Sequence, residues 1–141
     1  MDVRFSPNGG CAEAITAAIR GAKREVLVQA YWFTSDPVAD VLIEARRRNI
    51  RVEVILDGKP EHDLPERLQK AGVPVWFDNE HRRAHNKVII IDQNVVITGS
   101  YNLTPTAESD NAENLLIVTD AVLAAKYVQN WEYHRKHSNR M

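Results

Sequence analysis

The sequence predicts an α/β fold, a mixed β-sheet flanked by helices, in a single domain covering residues 1–141. Two patterns carry this expectation. In the first half, short runs of β-branched and aromatic residues alternate with segments whose apolar residues recur every three or four positions. That βαβαβαβ succession favours a mostly parallel sheet covered by helices. In the second half, strand-like runs crowd together around a turn at Gln93-Asn94, the spacing of antiparallel strands. A chain of 141 residues is long enough for one domain with its own core.

Each element follows from local pattern. "VRF" at 3–5 is a short strand. Over 12–23, Ile15, Ala18, Ile19 and Ala22 fall at i, i+3, i+4 and i+7, the mark of a helix with one buried face. "EVLVQAYWF" (25–33) is a buried strand by composition. Asp36-Pro37 opens a helix, with Asp36 as N-cap, Pro37 in the first helical position and a stripe of Val38, Val41, Leu42 and Ala45. "RVEVILD" (51–57) is a strand, "LPERLQKAG" (64–72) a short helix stopped by Gly72, and "VPVWFD" (73–78) a strand again. Strands are expected at 86–92, 94–98 and 114–119, and a closing helix at 121–136 that buries Ala124, Tyr127, Val128 and Trp131. No repeat, low-complexity segment or linker interrupts the pattern.

Composition narrows the function classes. Net charge is −1, so any polyanion site must be a local patch rather than a property of the whole surface. The single cysteine, Cys11, excludes an intramolecular disulfide and a multi-cysteine zinc site, and it reads as a small buried hydrophobe. No apolar run approaches the roughly 20 residues of a membrane span, and "MDVRFSPNGG" lacks the layout of a signal peptide. A soluble protein is expected, cytoplasmic as written or periplasmic or secreted with an export signal removed.

The chemistry concentrates in "AHNKVIIIDQNVVITGSYN", residues 84–102. His85 and Lys87 are two apart and share a face of a regular strand, whereas Asp92 points to the other. Ser100 and Asn102, also two apart, offer neutral hydrogen-bonding groups, and Glu113 stands at the mouth of a later strand. An imidazole serves as nucleophile or general base when neutral and as general acid when protonated. Lys, Ser and Asn can hold the non-bridging oxygens of a phosphate and stabilise its transition state. No carboxylate cluster adjoins His85 to chelate magnesium, so phosphoryl chemistry here is expected to need no metal and no cofactor.

This pattern, H-x-K-x4-D-x6-G-S-x-N with every fixed position met, resembles the HKD motif of the phospholipase D superfamily. The resemblance extends through "VLVQAYWFTSDPVADVLIEARRRNIRVEVILD" and "ENLLIV" to cover nearly residues 1–136. It is strongest to the small bacterial endonucleases with one motif per chain, which resist EDTA, and weaker to the mitochondrial cardiolipin hydrolases. The latter carry a Cys/His zinc-binding insertion that a single cysteine excludes here. The resemblance implies that His85 forms a phosphohistidine, that Lys87 and Asn102 bind phosphate oxygens, and that Ser100 assists positioning. It also implies that Glu113 orients His85 and that Asp92, with Gly99, is structural. One motif supplies one histidine, but the reaction uses two groups, so the resemblance implies a two-fold homodimer with a composite site.

Other residues receive plainer readings. His81 is expected to be a loop residue, and His134 and His137 part of a solvated helix face. Arg82 and Arg83 precede the motif and are candidate substrate-phosphate contacts at its rim. Arg46, Arg47 and Arg48 suit the negative end of a helix dipole. Tyr31, Trp32 and Phe33 are candidates for base stacking, although at least two of the three are expected to pack within the strand, and Tyr101 in the core. Asp40 with Asp57-Gly58-Lys59 only loosely imitates a magnesium-nuclease pattern, since Asp40 falls within a helix.

The expected function is a metal-independent phosphodiesterase, a non-specific endonuclease acting on DNA, with RNA the other candidate polymer. No stable membrane association is expected. The alternatives are a phospholipid hydrolase of cardiolipin type, and a nucleic-acid-binding or nuclease module of a larger protein.

Overall fold

Six consecutive residues, Glu25–Ala30, are all buried, which marks them as a strand covered on both faces. They form the centre of a single eight-stranded sheet in the computed structural model, which describes all 141 residues. In chain order the elements are β1 (Asp2–Ser6), α1 (Cys11–Arg20), β2 (Glu25–Ala30), α2 (Asp36–Arg47), β3 (Arg51–Leu56), α3 (Leu64–Lys70) and β4 (Val75–Phe77). They continue with β5 (Val88–Ile91), β6 (Val95–Gly99), α4 (Pro105–Ser109), β7 (Glu113–Thr119), α5 (Ala121–His137) and β8 (Asn139–Arg140). The sheet order is β1-β7-β6-β5-β2-β3-β4-β8. The expected mixed α/β sheet flanked by helices is thus the observed architecture.

Alternation divides the core between two layers. Val26, Val28, Val52, Val54, Ile89 and Ile91 join the large cluster that includes Ile15 and Ile19 of α1 and Val41 and Leu42 of α2. The intervening residues Leu27, Ile55, Val88 and Ile90 meet Ala124 and Trp131 of α5 on the opposite face. Trp131 is fully buried, and its Nε1 donates to the Val28 carbonyl at 2.9 Å. Tyr127 and Val128, expected in that interface, are only half-buried.

Three details depart from the sequence expectations. Only β2, β3 and β4 are parallel; β1 runs antiparallel to β7 at the far edge. Side-chain bonds place it there: Ser6 Oγ donates to the Asn111 carbonyl at 2.8 Å and accepts from the Glu113 amide at 3.1 Å. The N-cap of α2 is Ser35, whose side chain accepts from the Val38 amide, and Asp36 is the first helical residue. The short elements α4 and β8 lie outside the expected set, each too brief to show a period.

The turn between β5 and β6 is a close one. Asn94 N donates to Ile91 O at 3.0 Å, and both central residues, Asp92 and Gln93, have positive φ (53° and 54°), the backbone of a type I′ hairpin turn. Asp92 therefore leaves the strand. Its carboxylate accepts from the amides of Lys23, Arg24 and Glu25 at 2.7–3.2 Å, at the entry to β2. Burial pushes the Asp92 carboxyl up, but these amides outweigh it and hold its pKa below the usual carboxylate range.

Asp92→Ala leaves those three amides without their acceptor and is expected to cost about 2–3 kcal/mol in urea unfolding. A carboxyl whose folded pKa is depressed stabilises above its unfolded pKa, about 3.9, and loses that contribution as pH falls through the folded value. The stability gap between wild type and Asp92→Ala is therefore expected to hold from neutral pH to about 4 and to shrink below it.

Candidate active site

The motif begins on a loop, not on a strand. β5 starts at Val88, so His85, Asn86 and Lys87 are the last residues of the segment that leads into it. That segment is pinned from below: the Asp57 carboxylate accepts from the amide of buried Ala84 at 2.8 Å. His85 is exposed, and its ring rests on Tyr31, with centroids 4.4 Å apart and planes tilted by 48°. Lys87 is half-buried. Its Nζ lies 3.1 Å from His85 Nδ1, 2.9 Å from the His85 carbonyl oxygen and 5.6 Å from the Tyr31 ring centre. His85 and Lys87 therefore share one side, as their spacing predicts, although neither belongs to the regular strand.

The electrostatics of this pair are defined by chemistry alone. A charged lysine has only donors, so His85 Nδ1 accepts, and the proton of the neutral ring sits on Nε2. Burial lowers the Lys87 pKa, and the Glu113 carboxylate opposes that shift.

The second half of the motif ends β6. Gly99 has φ +147°, and a Cβ there would approach the Asn114 carbonyl oxygen to 2.3 Å, so only glycine permits this crossing of β6 and β7. Beyond it, Ser100 Oγ accepts from the Asn114 amide at 3.0 Å and from Asn114 Nδ2 at 3.3 Å, leaving its own proton to donate. Asn102 is half-buried, with Oδ1 enclosed and unpartnered. Glu113 accepts from Asn111 Nδ2 at 3.3 Å and makes no hydrogen bond to His85; its reach into the site is its charge on Lys87. Arg82 and Arg83 are exposed and form no ion pair. Asp40 is paired with Arg67 and Asp57 with Ala84, so the two are engaged separately.

Two neighbours of the site lie outside the motif. Gln29, 1% exposed near the C-terminal end of β2, accepts from Asn86 Nδ2 at 3.3 Å and has a buried, unpartnered Nε2. It lines one small recess with Lys87, Asn102, Trp32 and Tyr101. Its signal was available: a lone amide inside the apolar run "EVLVQA". The second is Tyr31. Pairing of β2 with β3 ends at Ala30↔Leu56, so Tyr31, Trp32 and Phe33 leave the strand. Of the three only Phe33 is buried, bridged to Leu103, while Trp32 is 60% exposed and Tyr31 faces His85. The expectation that at least two pack in the strand is corrected by that early end.

A second correction concerns the remaining histidines. His81 lies in a loop, as expected, but His134 and His137 are not a solvated face: with His81 they converge on the buried carboxylate of Asp78. His134 and His137 are three apart on α5 and so share a helix face, which is turned toward the segment after β4.

The chain also has relatives. Residues 15–135 match the family described as cardiolipin synthase, PLD-like domain. A phospholipase D of Rickettsia felis is 41% identical over 138 residues, covering 96% of this chain and 68% of that protein. A mitochondrial cardiolipin hydrolase of Xenopus laevis is 35% identical over 116 residues, 79% of this chain and 55% of that one. Among solved structures, Nuc of Salmonella typhimurium, a phospholipase D family member, superposes with a TM-score of 0.95 at 27% identity, covering 99% of this chain and 96% of that one. Motif, fold and relatives agree: the chain belongs to the phospholipase D superfamily and is a phosphodiester hydrolase.

Proposed function

We propose that the protein is a homodimeric endonuclease that cleaves DNA through a phosphohistidine at a composite site, with no metal ion on the reacting phosphate. The observation that carries the nucleic-acid reading is the aromatic step beside His85. Tyr31 and Trp32 stack with centroids 5.2 Å apart and planes within 29°, and Trp32 is 60% exposed. They border a mostly polar cleft that reaches Asp57, His62 and Asn102. A phosphate site flanked by an exposed stacking surface and by free arginines, Arg82 and Arg83, suits a polynucleotide strand.

The chemistry follows from the site. An entering phosphate draws Lys87 Nζ away from His85 Nδ1, because an anionic oxygen is the stronger acceptor. The freed ring takes the tautomer with its proton on Nδ1 and a lone pair on Nε2. Nε2 attacks phosphorus, and the P–N bond forms as the bond to the leaving oxygen breaks. Lys87, Asn102 and Ser100 hold the non-bridging oxygens, and the Glu113 charge keeps Lys87 protonated beside them. The leaving oxygen takes a proton from the imidazolium of His85 of the partner subunit. The same group, now neutral, deprotonates the water that releases the phosphate from His85.

A second reading keeps this chemistry and changes the substrate to a phospholipid headgroup. It is favoured by the 41% and 35% identities to a phospholipase D and a cardiolipin hydrolase.

Three outcomes test the proposal. In EDTA at 25 °C, wild type is expected to nick plasmid and degrade single-stranded DNA, with His85→Asn slower by at least about 10³-fold; turnover of cardiolipin liposomes but not DNA would select the second reading. Trp32→Ala is expected to weaken single-stranded DNA binding by about 1–3 kcal/mol in a fluorescence titration. Light scattering is expected to give twice the chain mass, and a fully active monomer would remove the composite site.

A further inference from the structure

The cluster of Asp78, His81, His134 and His137 lies outside the hydrolytic motif. Its four donor atoms, one from each side chain, lie within 4.8 Å of one another. Asp78 Oδ2 is 3.0 Å from His81 Nδ1, 3.2 Å from His134 Nδ1 and 3.1 Å from His137 Nε2. The Asp78 side chain is completely buried, and those of His134 and His137 are only 13% and 14% exposed.

Hydrogen bonding alone does not satisfy this arrangement. A carboxylate oxygen has two lone pairs, yet three imidazole nitrogens crowd Oδ2. The other oxygen, Oδ1, already accepts from the amides of Glu80 and His81 at 3.1 and 3.3 Å. One imidazole is therefore surplus to the acceptor it faces. A cation at the centre removes the competition, giving each nitrogen and the oxygen a bond of its own.

The spacing around Asp78 suits a small ion. Ligand bonds of about 2.0–2.1 Å in a tetrahedron set neighbouring ligand atoms about 3.3 Å apart. The three separations from Asp78 Oδ2 fall within a few tenths of an ångström of that. Supporting contacts resemble those of metal centres too. The backbone amides fix the Asp78 carboxylate, and Glu80 Oε2 lies 3.6 Å from His137 Nδ1, the nitrogen turned away from the cluster. Three imidazoles and one carboxylate, without thiolates, favour Zn²⁺ or Co²⁺ over Mg²⁺ or Ca²⁺.

We propose that Asp78, His81, His134 and His137 form a structural site for one divalent transition-metal ion of the zinc type. The ion clasps the last turn of α5 to the segment that follows β4. That segment runs on through Arg82 and Arg83 to Ala84, where Asp57 holds it, and so to His85. The site is a brace at the start of the catalytic loop and touches no reacting atom.

The test uses the full chain, freed of metal by chelation and dialysed. Titration with Zn²⁺ followed by elemental analysis is expected to give about one ion per chain and to raise Tm by about 4 °C or more. Co²⁺ is expected to give the intense visible bands of a four-coordinate site. His81→Gln, at the most exposed ligand, and His134→Gln are each expected to weaken Zn²⁺ binding at least about 10-fold while remaining folded by circular dichroism. His85→Asn is expected to bind the ion as wild type does. Absence of Zn²⁺ and Co²⁺ binding by the folded wild-type chain overturns the proposal. So does retention of full affinity in the folded double variant His81→Gln/His134→Gln, or loss of binding in His85→Asn, which would move the ion to the motif.

Discussion

The pairing of β5 against β2 governs where His85 and Lys87 stand. β2 is buried on both faces, so its partner must match it residue by residue: a one-residue slip would exchange Val88 and Ile90 with Ile89 and Ile91 between two different cores. Asp92 enforces that register from one end by gathering the three amides that lead into β2. At the other end β5 emerges at Lys87, directly beside the chain that leaves β2 through Tyr31. The contact of Tyr31 with His85 and Lys87 is a consequence of register. Asp92, at the far end of β5, thus decides where His85 stands.

Gly99 imposes the matching constraint on the other half of the motif. β6 and β7 pass so closely there that no side chain fits, and the reward is the short link from Ser100 to Asn114. The site is built from two chain crossings, β5 on β2 and β6 on β7, each fixed by one residue whose conformation or charge allows little substitution. The chemistry occupies the exits of those crossings, where the backbone has just been ordered and the side chains still reach solvent. Rigid delivery of reacting groups is the larger part of what such a site contributes, since little covalent work is required of a phosphoryl-transfer scaffold beyond position and charge.

Much of this was legible in the sequence for a physical reason. Elements buried on one or both faces must show their period, so β2, β3, α1, α2 and α5 appear in the pattern within a few residues of their observed ends. Motif residues are legible because their spacing is fixed by the two crossings. What escaped depends on distance along the chain. β1 pairs with β7 through Ser6 and Asn111, a contact between residues more than a hundred apart. Tyr31 looked like strand packing because nothing local says that β2 stops at Ala30. His81, His134 and His137 read as surface residues for the same reason. Asp78-x-x-His81 and His134-x-x-His137 are each unremarkable pairs, and only folding brings the end of β4 to the end of α5.

That convergence bears on the loop that carries His85. Between Asp78 and Lys87 the chain crosses the end of the sheet with no strand or helix of its own. A segment of that kind has low local stability unless something outside it holds it. Two acids perform that task from opposite ends: Asp57 takes the amide of Ala84, and Asp78 takes those of Glu80 and His81. Burial pushes the Asp78 carboxyl up, yet the bonds from His137 and His81 and from the backbone win, and its pKa lies far below the usual range. Its negative charge is fully buried and requires a counter-charge. A divalent ion supplies it outright, and in doing so ties the approach to His85 to the helix that packs beneath β2, β5 and β6.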